Sequence, residues 1–83
     1  MKQDDNLVTY ETSDINLASC LKLEGYDLET IKKGDDNKGI FVFNDVDQSF
    51  IDRFDLGKLL VEPVAFNNTI KQLTTSVRRM FQR

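Results

Sequence analysis

The chain has 83 residues, with 40% hydrophobic side chains, 30% charged side chains and a net charge of −3. That length gives one domain with a small core, and the apolar content is too high for a disordered segment. There is no histidine and a single cysteine, Cys20, which excludes an internal disulfide, a Cys/His zinc site and any Ser-His-Asp or Cys-His nucleophilic arrangement.

Residues 1–83 are expected to form a single α+β domain, with residues 1–5 disordered. Residues 6–11 read as a strand, Val8 and Tyr10 facing one way and Leu7 and Thr9 the other. Thr12, Ser13 and Asp14 are good helix N-caps. A helix follows to about Glu24, its apolar positions Leu17, Ala18, Cys20 and Leu21, and Gly25 suits the left-handed stop. Tyr26 to Lys32 reads as a second strand. The odd spacing of Leu28 and Ile31 breaks alternation, which points to a bulge or a short strand. The segment 33–39 is a turn by composition, and Ile40–Phe43 is the clearest strand of the chain, closing a hairpin.

Asn44, Asp45 and Asp47 offer caps for a second helix over about 46–56, with Val46, Phe50, Ile51 and Phe54 on one face. Gly57 ends it. Leu59-Leu60-Val61 is a candidate fourth strand. Pro63 suits the first position of a long C-terminal helix over 63–82, striped by Phe66, Ile70, Leu73, Val77 and Met80 or Phe81.

The fold class is therefore α+β, a small antiparallel sheet in the order β-α-β-β-α-(β)-α. With the fourth strand, the first six elements match the ferredoxin-like split βαβ arrangement, with a long C-terminal helix added. Ile40–Phe43 is apolar on both faces, so both faces of the sheet need cover. Two coverings are open, the last helix or a partner chain.

Charge is unevenly placed. Residues 1–62 hold all 14 acids against seven Lys/Arg, while residues 63–83 hold Lys71, Arg78, Arg79 and Arg83 and no acid. The basic helix is a candidate binding face for an anionic partner, and equally a helix end placing cations near its last carbonyls. Lys71, Arg78 and Arg79, spaced seven and eight apart, are read as lining one side, with Arg83 following Arg79 at i+4.

Lys38-Gly39-Ile40-Phe41-Val42-Phe43 partly follows the pattern of RNA-recognition strands, with Phe41 and Phe43 on one face and Tyr10 beside them. Ile40 stands where an aromatic belongs, and the surrounding acidity opposes phosphates. These three aromatics are either stacking residues or core. Asp35-Asp36-Asn37 fails as a calcium loop, because its twelfth position is Val46 rather than a closing Glu. Cys20 reads as a core residue.

No cofactor or metal is implied. The opening Met1–Asn6 is polar and acidic, and no apolar run reaches membrane-spanning length, so a cytoplasmic setting without membrane contact is expected.

At Tyr10-Glu11-Thr12-Ser13-Asp14, Leu17-Ala18, Leu21, Gly25-Tyr26, Phe41-Val42-Phe43 and Pro63, the chain resembles a family of small domains of unknown function associated with bacterial, candidate-phylum and phage genomes. The resemblance spans nearly the whole chain. It implies a compact α+β unit and a mobile-element setting, and brings no activity or catalytic residue.

The expected function is a non-enzymatic binding module contacting a protein, a second copy of itself or a nucleic acid through its C-terminal helix. One alternative is an acidic inhibitor or decoy using Asp4, Asp5, Asp35, Asp36, Asp45, Asp47, Asp52 and Asp55 against a host nucleic-acid-binding or defence enzyme. The other is a nucleic-acid-binding accessory protein using the four basic residues.

Overall fold

In the computed structural model, which describes residues 7–82, a three-stranded sheet carries three helices. The elements are β1 (Leu7–Thr12), α1 (Ile15–Glu24), β2 (Asp27–Lys33), β3 (Gly39–Asp47), α2 (Gln48–Asp55) and α3 (Pro63–Phe81), with one 3-10 turn at Asp35–Asn37 between β2 and β3. The proposed disorder of residues 1–5, with Asp4 and Asp5, lies outside the described residues, as does Arg83.

Local chemistry sets the boundaries. Thr12 Oγ1 accepts from the Asp14 N–H at 3.0 Å, and the Asp14 carboxylate accepts from the Asn16 and Leu17 N–H groups at 2.8 and 3.3 Å. That satisfies donors which the first turn of α1 leaves unpaired. Gly25, at φ 103°, ends α1; its left-handed backbone disfavours a side chain. Asp47 caps α2 through the Ser49 N–H at 3.0 Å. Glu62 caps α3 through the Val64 and Ala65 N–H groups at 3.1 and 2.7 Å, with Pro63 in the first turn.

The strand order is β1-β3-β2, with both pairings antiparallel. β1 and β2 are therefore parallel, joined through α1, with β3 between them: a split βαβ. Two bulges interrupt the ladder. In β2 the register shifts between Leu28 and Thr30, so Leu28 pairs with Phe43 and Ile31 with Phe41, both turned to the core despite their odd spacing. In β3 the extra residue falls between Phe43 and Val46, opposite the Val8–Tyr10 stretch, where Asp45 takes φ 54°. The bulge keeps Val46 on the same face as Phe43.

That bulge corrects one sequence expectation. Val46 belongs to β3, and α2 begins at Gln48. Val46 fits the helical stripe of Phe50, Ile51 and Phe54 by spacing, but the bulge delivers it to the same core from the strand.

The fourth strand is a second correction, and the complete four-stranded ferredoxin-like sheet goes with it. Residues 58–62 form no strand, and Leu60 is 97% exposed. The Lys58 N–H donates to the Arg53 carbonyl at 2.8 Å, Leu59 packs against the core, and Glu62 caps α3. The segment is tied at both ends to the helical layer.

The core lies between the Phe41/Phe43/Val46 face of the sheet and the helices. Leu17 to Leu21 are five consecutive buried residues, so the middle turn of α1 is covered, while Asn16 near its start and Lys22 and Leu23 near its end stay exposed. α3 packs beside α1, with Leu73 buried. The question of what covers the opposite face of β3 has a local answer. Val42 lies between Glu11 of β1 and Thr30 of β2. Lys32 Nζ reaches Glu11 Oε2 at 2.9 Å, spanning the central strand between them. Two strand spacings, roughly 10 Å, are bridged by these two long stems, and Val42 is 5% exposed. The apolar stems of the pair lie over Val42 and limit its contact with water.

Candidate functional site

Where the C-terminal half of α3 crosses the start of β3, the helix comes close enough that a Cβ on Gly39 would lie 2.7 Å from Val77 Cγ2 and 3.2 Å from Ile31 Cγ2. Beside that crossing runs an open groove of about 490 Å³. Its floor is apolar, built from Ile15, Phe41, Val77 and Phe81. Its cations are Arg78, from α3, and Lys38, from the turn before β3. Four neutral polar side chains complete the lining: the hydroxyls of Ser13 and Thr74 and the amides of Asn37 and Gln82.

Among the described residues no carboxylate lines the groove, although the chain carries more acids than bases. Asp35 and Asp36 share the turn with Lys38 but stay outside the lining. A third cation stands at the edge: Lys33 Nζ sits 5.6 Å from the centre of the Phe81 ring, within range of a cation–π contact. Backbone geometry places these groups. Asp36 and Asn37 take left-handed φ values of 58° and 60°, and the Gly34 N–H donates to the Lys38 carbonyl at 2.8 Å. The turn closes tightly and sets Asn37 and Lys38 against α3.

Of the basic residues read from the sequence, the structure brings Arg78 into the groove. Lys71 and Arg79 are exposed but outside its lining. Lys71 shares a helical side with Arg78 two turns away, whereas Arg79 is rotated from it by roughly 100°. The three do not form one line. Arg83 lies outside the described residues.

Of the aromatics, Phe41 and Phe43 are 2% and 0% exposed, and Tyr10 packs on the same core opposite Phe43. None presents an open ring face to a base. In the sequence Lys38 and Gly39 read only as part of a strand motif. Their position beside α3 is not legible there, because contact between a hairpin turn and a distant helix leaves no local pattern. The one available signal was a glycine beginning an apolar strand, which marks close approach.

The acids proposed for a decoy surface are divided. Asp35 and Asp36 lie before β3, while Asp45 and Asp47 lie at its far end, roughly 25 Å away. Asp47 caps α2, and Asp52 accepts from the Gln48 amide at 3.3 Å. Among the described residues no cluster of three or more His, Cys, Asp or Glu is placed to hold a metal ion, and no helix is long and apolar enough to cross a membrane. Cys20 is 7% exposed, and burial, with the nearby Asp14 carboxylate, pushes its thiol pKa up. It is a packed core thiol, held away from the reactive thiolate form.

Together these features define a small α+β domain: a split βαβ sheet with one layer of helices. The chain belongs to DUF5659, a domain of unknown function whose sequence pattern matches residues 7–78. This agrees with the resemblance read from Tyr10 through Pro63. No curated protein and no solved structure matches the chain.

Proposed function

We propose that this chain is a non-enzymatic binding module that engages its partner along the C-terminal half of α3, at the groove between that helix and the β2–β3 turn. The observation that carries the reading is the composition of the groove. Two cations and an apolar floor meet there with no acid among the described lining residues, on a chain with an excess of acids. Apolar surface supplies affinity and the charges supply orientation and selectivity.

A photo-crosslinking side chain introduced at Gln82, on the groove, tests the reading in the source cell. The same group at Glu29, on the exposed edge of β2, is the control. The expected result is a discrete adduct from Gln82 and none from Glu29. Equal labelling from both positions would remove the groove as the contact surface.

A further inference from the structure

We infer that the groove is a site for an acidic peptide segment bearing a bulky apolar side chain. The inference rests on the binding-module reading and adds the chemistry of the partner. An apolar side chain would cover Ile15, Val77, Phe81 and the little of Phe41 that remains open, the apolar floor of the groove. Carboxylates beside it would meet Lys38 and Arg78, and the arginine fork suits a planar two-oxygen acceptor. The neutral rim fits a peptide in particular. Asn37 and Gln82 each carry both a donor and an acceptor, and Ser13 and Thr74 carry hydroxyls that do either. A peptide backbone presents N–H and C=O groups in alternation and can use both kinds. A phosphate chain has acceptors alone and leaves the amide oxygens unmatched.

Three further observations separate a peptide from a nucleic acid. Single-stranded nucleic acids bind by stacking on open aromatic faces; Phe41 and Phe43 are closed in the core, and the half-buried Phe81 ring is already shared with Lys33. Lys71 and Arg79 lie outside the groove, so its cations are confined to Lys38 and Arg78 with Lys33 at the edge. The chain up to Glu62 is strongly acidic, which repels a long polyanion but admits a short segment whose charges stop at the groove.

The test uses the full chain, labelled with nitrogen-15, and four probes. These are a capped octapeptide alternating Asp with Leu and Phe, the same peptide with Lys for Asp, the same with Ser for Leu and Phe, and a thymidine dodecamer. The first probe should shift the amides of Asn37, Gly39, Thr74 and Gln82, and the other three should not. Its affinity should fall about tenfold or more in Lys38→Glu and in Arg78→Glu, and stay unchanged in Lys71→Glu. Both groove residues are exposed, and each variant's own amide spectrum reports whether it is folded.

Absence of groove shifts with the first peptide overturns the inference. So does equal binding of the Lys or Ser peptide, or binding indifferent to Arg78→Glu. If the dodecamer alone moves the groove amides, the ligand class is wrong while the contact surface stands. If no probe moves them and Gln82 crosslinks nothing, both proposals fall.

Discussion

Gly39 leaves the room that Val77 of α3 occupies at the start of β3. Adding a methyl there meets Val77 Cγ2 at 2.7 Å and Ile31 Cγ2 at 3.2 Å, closer than packed carbons tolerate. Gly39→Ala should therefore destabilise the fold by about 1–3 kcal/mol in urea unfolding. Adding Val77→Ala should recover part of that loss. Ser19 makes the opposite case. Its hydroxyl is fully buried with no hydrogen-bond partner among the described residues. Ser19→Ala should be neutral or stabilising by up to about 1 kcal/mol, since it removes a desolvated polar group.

Cys20 gives a pH dependence of known sign. Its thiol pKa is raised in the fold above the ordinary 9.0, chiefly by burial. As pH rises past 9, the unfolded chain gives up this proton while the folded chain keeps it, so unfolding gains and stability falls. The native thiol contributes fully below that range and loses its advantage above it. Unfolding midpoints measured on either side of pH 9 should drop further for the natural chain than for Cys20→Ala. Equal drops would place the titration elsewhere.

At the scale of elements, α1 shows how much the sequence makes legible. Asp14 and Gly25 mark its two ends in the linear text, because capping chemistry is local. Asp14→Ala should cost about 1 kcal/mol, read as a loss of urea stability. The β2 bulge was also legible, since Leu28 and Ile31 share a face only if a residue is inserted between them. The β3 bulge was not. Asp45 takes its left-handed φ within a strand whose apolar residues also match a helical stripe, and pairing with β1 decides between them. Asp45→Gly should be tolerated there, and Asp45→Val should destabilise by about 1–2 kcal/mol, measured by thermal or urea unfolding. Leu59–Val61 misled for a related reason. An apolar triplet resembles a strand, but Leu59 and Glu62 are engaged by the helices on either side.

For the molecule as a whole, sidedness organises the surfaces. All three helices pack on one face of the sheet. The other carries the arch of Glu11 and Lys32 over Val42. The exposed ion pair itself contributes little, within about 1 kcal/mol, and its stems do the covering. The division of charge along the chain was plain in the sequence, but its meaning depended on folding. The tertiary contact selects Arg78 from the basic residues of α3, pairs it with Lys38 from a turn forty residues earlier, and leaves Lys71 and Arg79 on other ground. Periodicity cannot show such a meeting, because it reports which side of a helix a residue occupies and not what faces it.

The most direct test of the groove as the contact surface is the yield of crosslinked adduct from Gln82 in the natural chain against a Lys38→Glu/Arg78→Glu chain. A discrete adduct is expected in the first and its loss in the second, with the folded amide spectrum retained. An adduct of the same partner at the same yield in both chains would contradict the groove as the contact surface.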